Sequence, residues 1–295
     1  MRQRARTLGV LWILAVVAAA SPARADAPDH AAVRASLYAA DSLISASIGV
    51  LGPDGIGRWL ARDATYLHPD QPVITGREAA RGVLRTAFAA QRLHRLGGDA
   101  SADGTLGYTF GWFDDGARYI ATWRNTTGLW WVAGFVRIPG RKPPSPPPAD
   151  AAILAGDHGT PHPSTAEQTA HDATTADAMF SQRSESQGYT AAFTHYGAAD
   201  AVIVGGSDLY WNAAGVAQAL GGWTSAEQLR WRPQISVGAA SGDLAFTIGV
   251  ATMTVRKGTQ IDRHHSKYLT VWARQPDGSW RFLADGGNAA PAGVD

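Results

Sequence analysis

Apolar positions recur in two rhythms along this chain, and the order of the rhythms repeats. Val33, Leu37, Ile44, Ile48 and Leu51 are spaced by threes, fours and sevens, as on one buried helical face. Gly52-Pro53-Asp54-Gly55 stops that helix. A short strand is expected around Thr65–His68, and a second helix over Arg77–Gln91 with Thr75 placed to cap it. Beyond it the runs shorten to strand length. Asp114-Asp115-Gly116 and Pro276-Asp277-Gly278 read as hairpin turns, because Gly and Asp tolerate the positive φ of tight turns. Helices first and antiparallel strands after is an α+β plan.

The same grammar is written twice. GTLGYTFGW (Gly104–Trp112) aligns with GDLAFTIGV (Gly242–Val250), with Gly, Leu, Thr and Gly in register and Tyr108 opposite Phe246. YIATW (Tyr119–Trp123) aligns with YLTVW (Tyr268–Trp272), and AADS (Ala39–Ser42) with TADA (Thr175–Ala178). GLWWVAG aligns with GSWRFLADG once an insertion is allowed. Shared order and similar separations indicate tandem duplication. Trp123 and Trp272 then correspond, as do Trp130 and Trp280. Between the copies lies GRKPPSPPPAD (Gly140–Asp150), which favours extended polyproline conformation and cannot donate ladder hydrogen bonds. The expected division is a first domain over 26–138, a Pro-rich linker over 139–165, a second domain over 166–291 and a tail over 292–295.

Composition narrows the function. Arg2, Arg4 and Arg6 precede an uncharged apolar run, Leu8–Ala20, and Ala23-Arg24-Ala25 fits a small-x-small cleavage site. This is a Sec-type signal pattern, predicting cleavage after Ala25 and a periplasmic or secreted protein with no membrane span once the signal is removed. Residues 1–25 carry four Arg and no acid, so the 26 basic and 25 acidic residues of the chain become 22 and 25, a net charge of −3. No basic run remains for nucleic acid. The absence of cysteine excludes disulfides, zinc–thiolate sites and a cysteine nucleophile. His158 and His162 have an i, i+4 spacing, but in a Pro- and Gly-rich tether rather than on a helix. Neither a metal nor a cofactor is expected. Asn125-Thr126-Thr127 has the form of a glycosylation sequon and reads as hairpin chemistry.

The phrases GDLAFTIG, GTLGYTFG and YLTVWARQPDGSWRFLADGG resemble the SnoaL-like group of the nuclear transport factor 2-like superfamily. The nearest member is the bacterial family named domain of unknown function 4440. The resemblance covers about Ala166–Pro291 well and Ala31–Ile138 more weakly. It implies two tandem cone-shaped domains of cystatin-like kind, each a curved antiparallel sheet wrapped around N-terminal helices with one open mouth. Superfamily members include isomerases, dehydratases, epoxide hydrolases and domains without activity, so the fold fixes no reaction.

An acid–base enzyme in such a cone, an isomerase, dehydratase or hydrolase of the ketosteroid-isomerase kind, needs a carboxylate base in an apolar cavity and a phenol or protonated acid as its partner. The second domain offers Asp208, Tyr210, His264, His265 and Asp285. Asp208 and Tyr210 share a face if extended, although Asp208 also suits a turn. His264 and His265 fall on opposite faces of a strand. Asp285 reads either as a carboxylate at the mouth or as a strand-end residue bonding nearby backbone. Tyr66, His68, Trp123, Trp211, Tyr268 and Trp272 are the candidates to line a pocket. The leading expectation is a protein that binds a small apolar ligand or a protein partner without catalysis, with catalysis in the second domain as the alternative. Pairing of the two sheets within one chain as a pseudo-dimer, or between chains as a homodimer, is a further expectation.

Overall fold

The computed structural model describes residues 28–52, 54–87, 91–148, 159–221, 224 and 226–293. The expected signal segment, His158 and the last two residues lie outside them. The first helix, α1 (His30–Leu51), begins where the Asp29 carboxylate accepts from Ala31 N–H and ends at Gly52, φ 65°, a conformation that costs glycine no Cβ clash. Leu37, Ile44 and Ile48 are buried from it, as the spacing predicts, and Asp41 is buried in the same stripe; Val33 is half-buried and Leu51, at the helix end, is exposed.

A short helical turn, α2 (Asp54–Gly57), and a helix, α3 (Arg77–Ala87), flank β1 (Leu60–Leu67) and β2 (Ile74–Thr75). Four longer strands follow: β3 (Leu93–Ala100), β4 (Leu106–Phe113), β5 (Arg118–Thr126) and β6 (Leu129–Ile138). They form one sheet in the order β2-β1-β6-β5-β4-β3. The second half starts with α4 (Ala166–Gln187) and α5 (Tyr189–Tyr196), then β7 (Gly197–Val204), β8 (Leu209–Trp211) and α6 (Asn212–Leu220). It ends with β9 (Glu227–Gly238), β10 (Leu244–Lys257), β11 (Gln260–Arg274) and β12 (Trp280–Ala289). Its sheet order, β8-β7-β12-β11-β10-β9, repeats the first. The chain is two tandem α+β domains, each a helix-covered six-stranded sheet.

Two sequence expectations need correction. The sheets are mixed rather than antiparallel: β1 runs parallel to β6, and β7 to β12. Hairpins force antiparallel pairing, but these strands are joined by long connections and are free of that constraint. The one-residue insertion sits in the terminal turn. After it the ladders match without a gap, Ala121 facing Phe135 as Thr270 faces Asp285. Phe135, not a glycine-adjacent alanine, is therefore the first-domain counterpart of Asp285.

The two sheets pack against each other through their outer faces. Leu106, Phe110, Ile120 and Val136 share one apolar cluster with Ile248, Leu269 and Trp211. Contact is close enough that a Cβ on Gly134 would stand 3.1 Å from Ile248 Cδ1, and one on Gly286 would stand 2.7 Å from Ile138 Cδ1. Polar pins hold the rim. Asn288 Nδ2 donates to Leu67 O and Arg137 O, both at 2.8 Å. Ala102 N donates to Asp243 at 2.8 Å, and Ser241 N to Asp103 at 2.9 Å.

Candidate ligand cavity

The covered face of each sheet meets its first helix at a carboxylate. On α4 the Asp177 side chain is fully buried. Trp231 Nε1 donates to Oδ1 at 2.7 Å, and the Tyr268 hydroxyl reaches both oxygens at 3.2 Å. Thr247, whose hydroxyl also bonds this carboxyl, holds Trp272 Nε1 at 2.9 Å. Burial pushes Asp177 up to about 7 against these donors, and Asp285 adds to the rise. The first domain repeats the arrangement. Asp41 accepts from Thr109 Oγ1 at 2.8 Å and from the Tyr119 hydroxyl at 3.2 Å, and Thr109 holds Trp123 Nε1 at 3.0 Å. Asp41 too is raised by burial, but Arg95 Nη1 stands 3.5 Å from its Oδ2, where the second domain uses an indole.

The space beyond the two tyrosines differs. In the first domain Phe135 stacks on Tyr119 at 5.8 Å, with Phe113 at 6.3 Å and Tyr66 at 6.0 Å from it. All four rings are fully buried. In the second domain Asp285 stands at the place of Phe135 in the ladder. Ala251, four residues past Thr247, stands where Phe113 follows Thr109. Two rings are thereby exchanged for a methyl and a carboxyl, and a cavity of about 380 Å³ opens. Phe180, Phe193, Leu229 and Trp231 form its apolar wall, with Tyr268 and Asp285 among its polar groups. The Thr270 hydroxyl donates to Asp285 Oδ1 at 2.5 Å. Asp285 keeps accessible surface toward the cavity, yet protein surrounds it, and desolvation pushes it up to about 6.

Asp285 and Tyr268 are the residues named from sequence that meet at this cavity. Asp208 faces the linker instead, accepting from Ser145 N at 2.8 Å and Ser145 Oγ at 2.6 Å. Burial opposes its charge, but these bonds, Leu209 N–H and Arg118 hold it below the usual carboxylate range. The Tyr210 hydroxyl bonds Ser207. His264 is on the covered face of β11 but exposed beyond the cavity, and His265 is on the opposite face at 3.3 Å from Thr252. His68 lies toward the seam, its Nδ1 2.8 Å from Pro69 O. Desolvation, then Arg137 and Lys267, keeps that imidazole below its ordinary value. Tyr66, Trp123 and Trp272 are core residues at 0 % exposure. Trp211 packs across the domains on Phe110, 5.8 Å between centroids.

Asp177, Asp41 and Trp231 were not among the residues named from sequence. The signal was present, since AADS and TADA place an acid at the same point of both helices, inside the apolar stripe. Among the described residues no group of three or more His, Asp or Glu side chains could hold a metal ion.

No family model matches the chain, and no curated protein matches it. Solved structures do. A nuclear transport factor 2-like protein with a cystatin-like fold from Novosphingobium aromaticivorans is 16% identical, with a TM-score of 0.35, over 44% of this chain and 85% of its own. A ketosteroid isomerase-like protein from Erwinia carotovora atroseptica is 16% identical, with a TM-score of 0.34, over 39% of this chain and 92% of its own. A nuclear transport factor 2-like superfamily protein from Salmonella enterica serovar Typhimurium is 15% identical, with a TM-score of 0.35, over 44% of this chain and 95% of its own.

Proposed function

We propose that the second domain binds a small, largely apolar molecule in the cavity before Asp285, without chemical change to it, and that the first domain is its packing partner. One observation carries this reading. The two interiors share the Asp–Thr–Trp–Tyr network, but the aromatic plug of the first is replaced in the second by Ala251 and Asp285. The volume suits a small ligand, and a mostly apolar wall with few polar groups is the usual character of such sites. Asp285 offers a hydrogen-bond donor below about pH 6 and an acceptor above it. The N-terminal basic and apolar pattern supports export to the periplasm or medium. N-terminal sequencing of protein recovered from its native host checks this, and a retained Met1 would overturn it.

Native mass spectrometry of the purified protein tests the cavity. Wild type is expected to carry an extra mass, or to bind 2-naphthol with quenching of Trp231, and Ala251→Phe is expected to lose both while keeping its far-UV spectrum. Undiminished binding by Ala251→Phe would overturn the assignment.

A second reading is general acid–base catalysis. It is favoured by a carboxyl near 6 in an apolar cavity with a phenol nearby, the Tyr268 hydroxyl. Asp285→Asn separates the readings: a catalyst loses turnover while still binding its substrate.

A further inference from the structure

A second groove, independent of the cavity, lies where α4 and the end of α5 face the β11–β12 turn. Its volume is about 560 Å³. Trp280 lies at its base, with the Arg274 guanidinium 4.8 Å from the ring centroid. Ala176, Tyr196 and Met179, the last 54% exposed, supply apolar surface. The acids of this region are already committed. Asp172 accepts from Arg274 Nη2 at 2.6 Å and from Gln168 at 2.8 Å. Asp277 accepts from Ser279 N at 2.9 Å and Ser279 Oγ at 2.6 Å. Arg274 is equally committed, with Gly242 O as a further acceptor at 2.9 Å. Arg281, His171 and His195 line the groove without an ion-pair partner among the described residues. Arg183 adds its field: burial first, then Arg183 and Arg281, hold His195 below its ordinary value.

The internal repeat serves as a control. At the matching place in the first domain, Trp130 Nε1 donates to Ser36 Oγ at 2.9 Å. Counting back from the Asp41–Asp177 match, the counterpart of Ser36 on α4 is Asp172, which has turned to Arg274. Trp280 is 8% exposed, and its Nε1 has no acceptor among the described residues. A buried donor without a partner is rare enough to require a reason. The second copy thus lacks the internal acceptor and carries an uncompensated guanidinium, Arg281, beside an apolar base.

We propose that this groove is a separate binding site for a small apolar or aromatic carboxylate. The apolar body lies along Met179 and Tyr196, and the carboxylate sits between Arg281 and His195. One of its oxygens takes the buried Trp280 N–H once the groove wall over it shifts.

The test uses the full chain with the cavity closed by Ala251→Phe, so that the two sites fail separately. Its probes are 1-naphthoate and the uncharged 1-naphthalenemethanol, followed by calorimetry and by the Trp280 indole N–H resonance. Naphthoate is expected to bind and move that resonance, and the alcohol to bind weaker by on the order of tenfold. Arg281→Gln and Met179→Glu should each weaken naphthoate by a similar factor, while Arg281→Lys restores most of it. No naphthoate binding, equal binding of the alcohol, a stationary Trp280 signal or indifference to both substitutions would overturn the proposal.

Discussion

The two domain interiors hold the same polar network and opposite contents. Asp41 and Asp177 are fixed by matched Thr, Trp and Tyr side chains, but packed rings lie beyond Tyr119 and a cavity lies beyond Tyr268. The difference shows that the network is a feature of the scaffold, common to a filled and an open copy. What distinguishes the open copy is the wall opposite, at Ala251 and Asp285.

The largest effect should come from forcing the first domain toward the second. Phe135→Asp removes a fully buried ring and places an unpaired carboxyl among Tyr66, Phe113 and Tyr119. A loss of about 3–5 kcal/mol is expected in urea unfolding. A loss below about 1 kcal/mol would mean that the plug is not structural.

The pH dependence comes next. Asp177 is raised to about 7 in the folded protein, against an ordinary value near 4 for an exposed or unfolded Asp. Between these values the folded state holds a proton that the unfolded state has released. Its contribution is complete in acid below about pH 4 and is lost as pH rises through about 7. Asp177→Asn cannot titrate. Wild-type stability measured relative to this variant should therefore fall between pH 5 and pH 8, by on the order of 1–3 kcal/mol. A pH-independent difference would contradict the assignment.

Trp231→Phe sharpens the contrast with the Arg95 side of the first domain. It keeps a ring in the cavity wall but removes the 2.7 Å bond to Asp177. About 1–3 kcal/mol should be lost at pH 8, where the carboxylate is charged, and less at pH 5. The smallest effect is expected at the linker. Asp208→Ala frees Ser145 at a cost under about 1 kcal/mol, read as faster proteolysis near Ser145 with an unchanged unfolding midpoint.

Much of this architecture was legible in local patterns. The stripe Leu37, Ile44, Ile48 predicted the buried face of α1, and the Gly116 and Gly278 turns marked two hairpins at φ 83° and 82°. The pairing of β1 with β6 and of β7 with β12 was not legible, because nothing local records which distant strand closes a sheet edge. Strand alternation separated His264 from His265 but could not say which face the helix would cover. The cavity depended on long-range replacement. Asp285 acquires meaning only when set against Phe135, and aligning the copies on glycines rather than on the ladder obscured that match. Asp41 could have been found: an acid inside an apolar helical stripe, repeated in the second copy, has few explanations besides a buried hydrogen-bond hub.

Both partners of the glycine-lined seam belong to one polypeptide, so dilution cannot part them. Two separate domains meeting through the same faces would dissociate as their numbers fell. Here the tether fixes the local concentration at a value that no expression level alters. A few copies per cell hold the seam as firmly as thousands. One half can therefore hold a buried ring where the other holds a carboxyl, an inequality between Phe135 and Asp285 that two identical subunits cannot adopt.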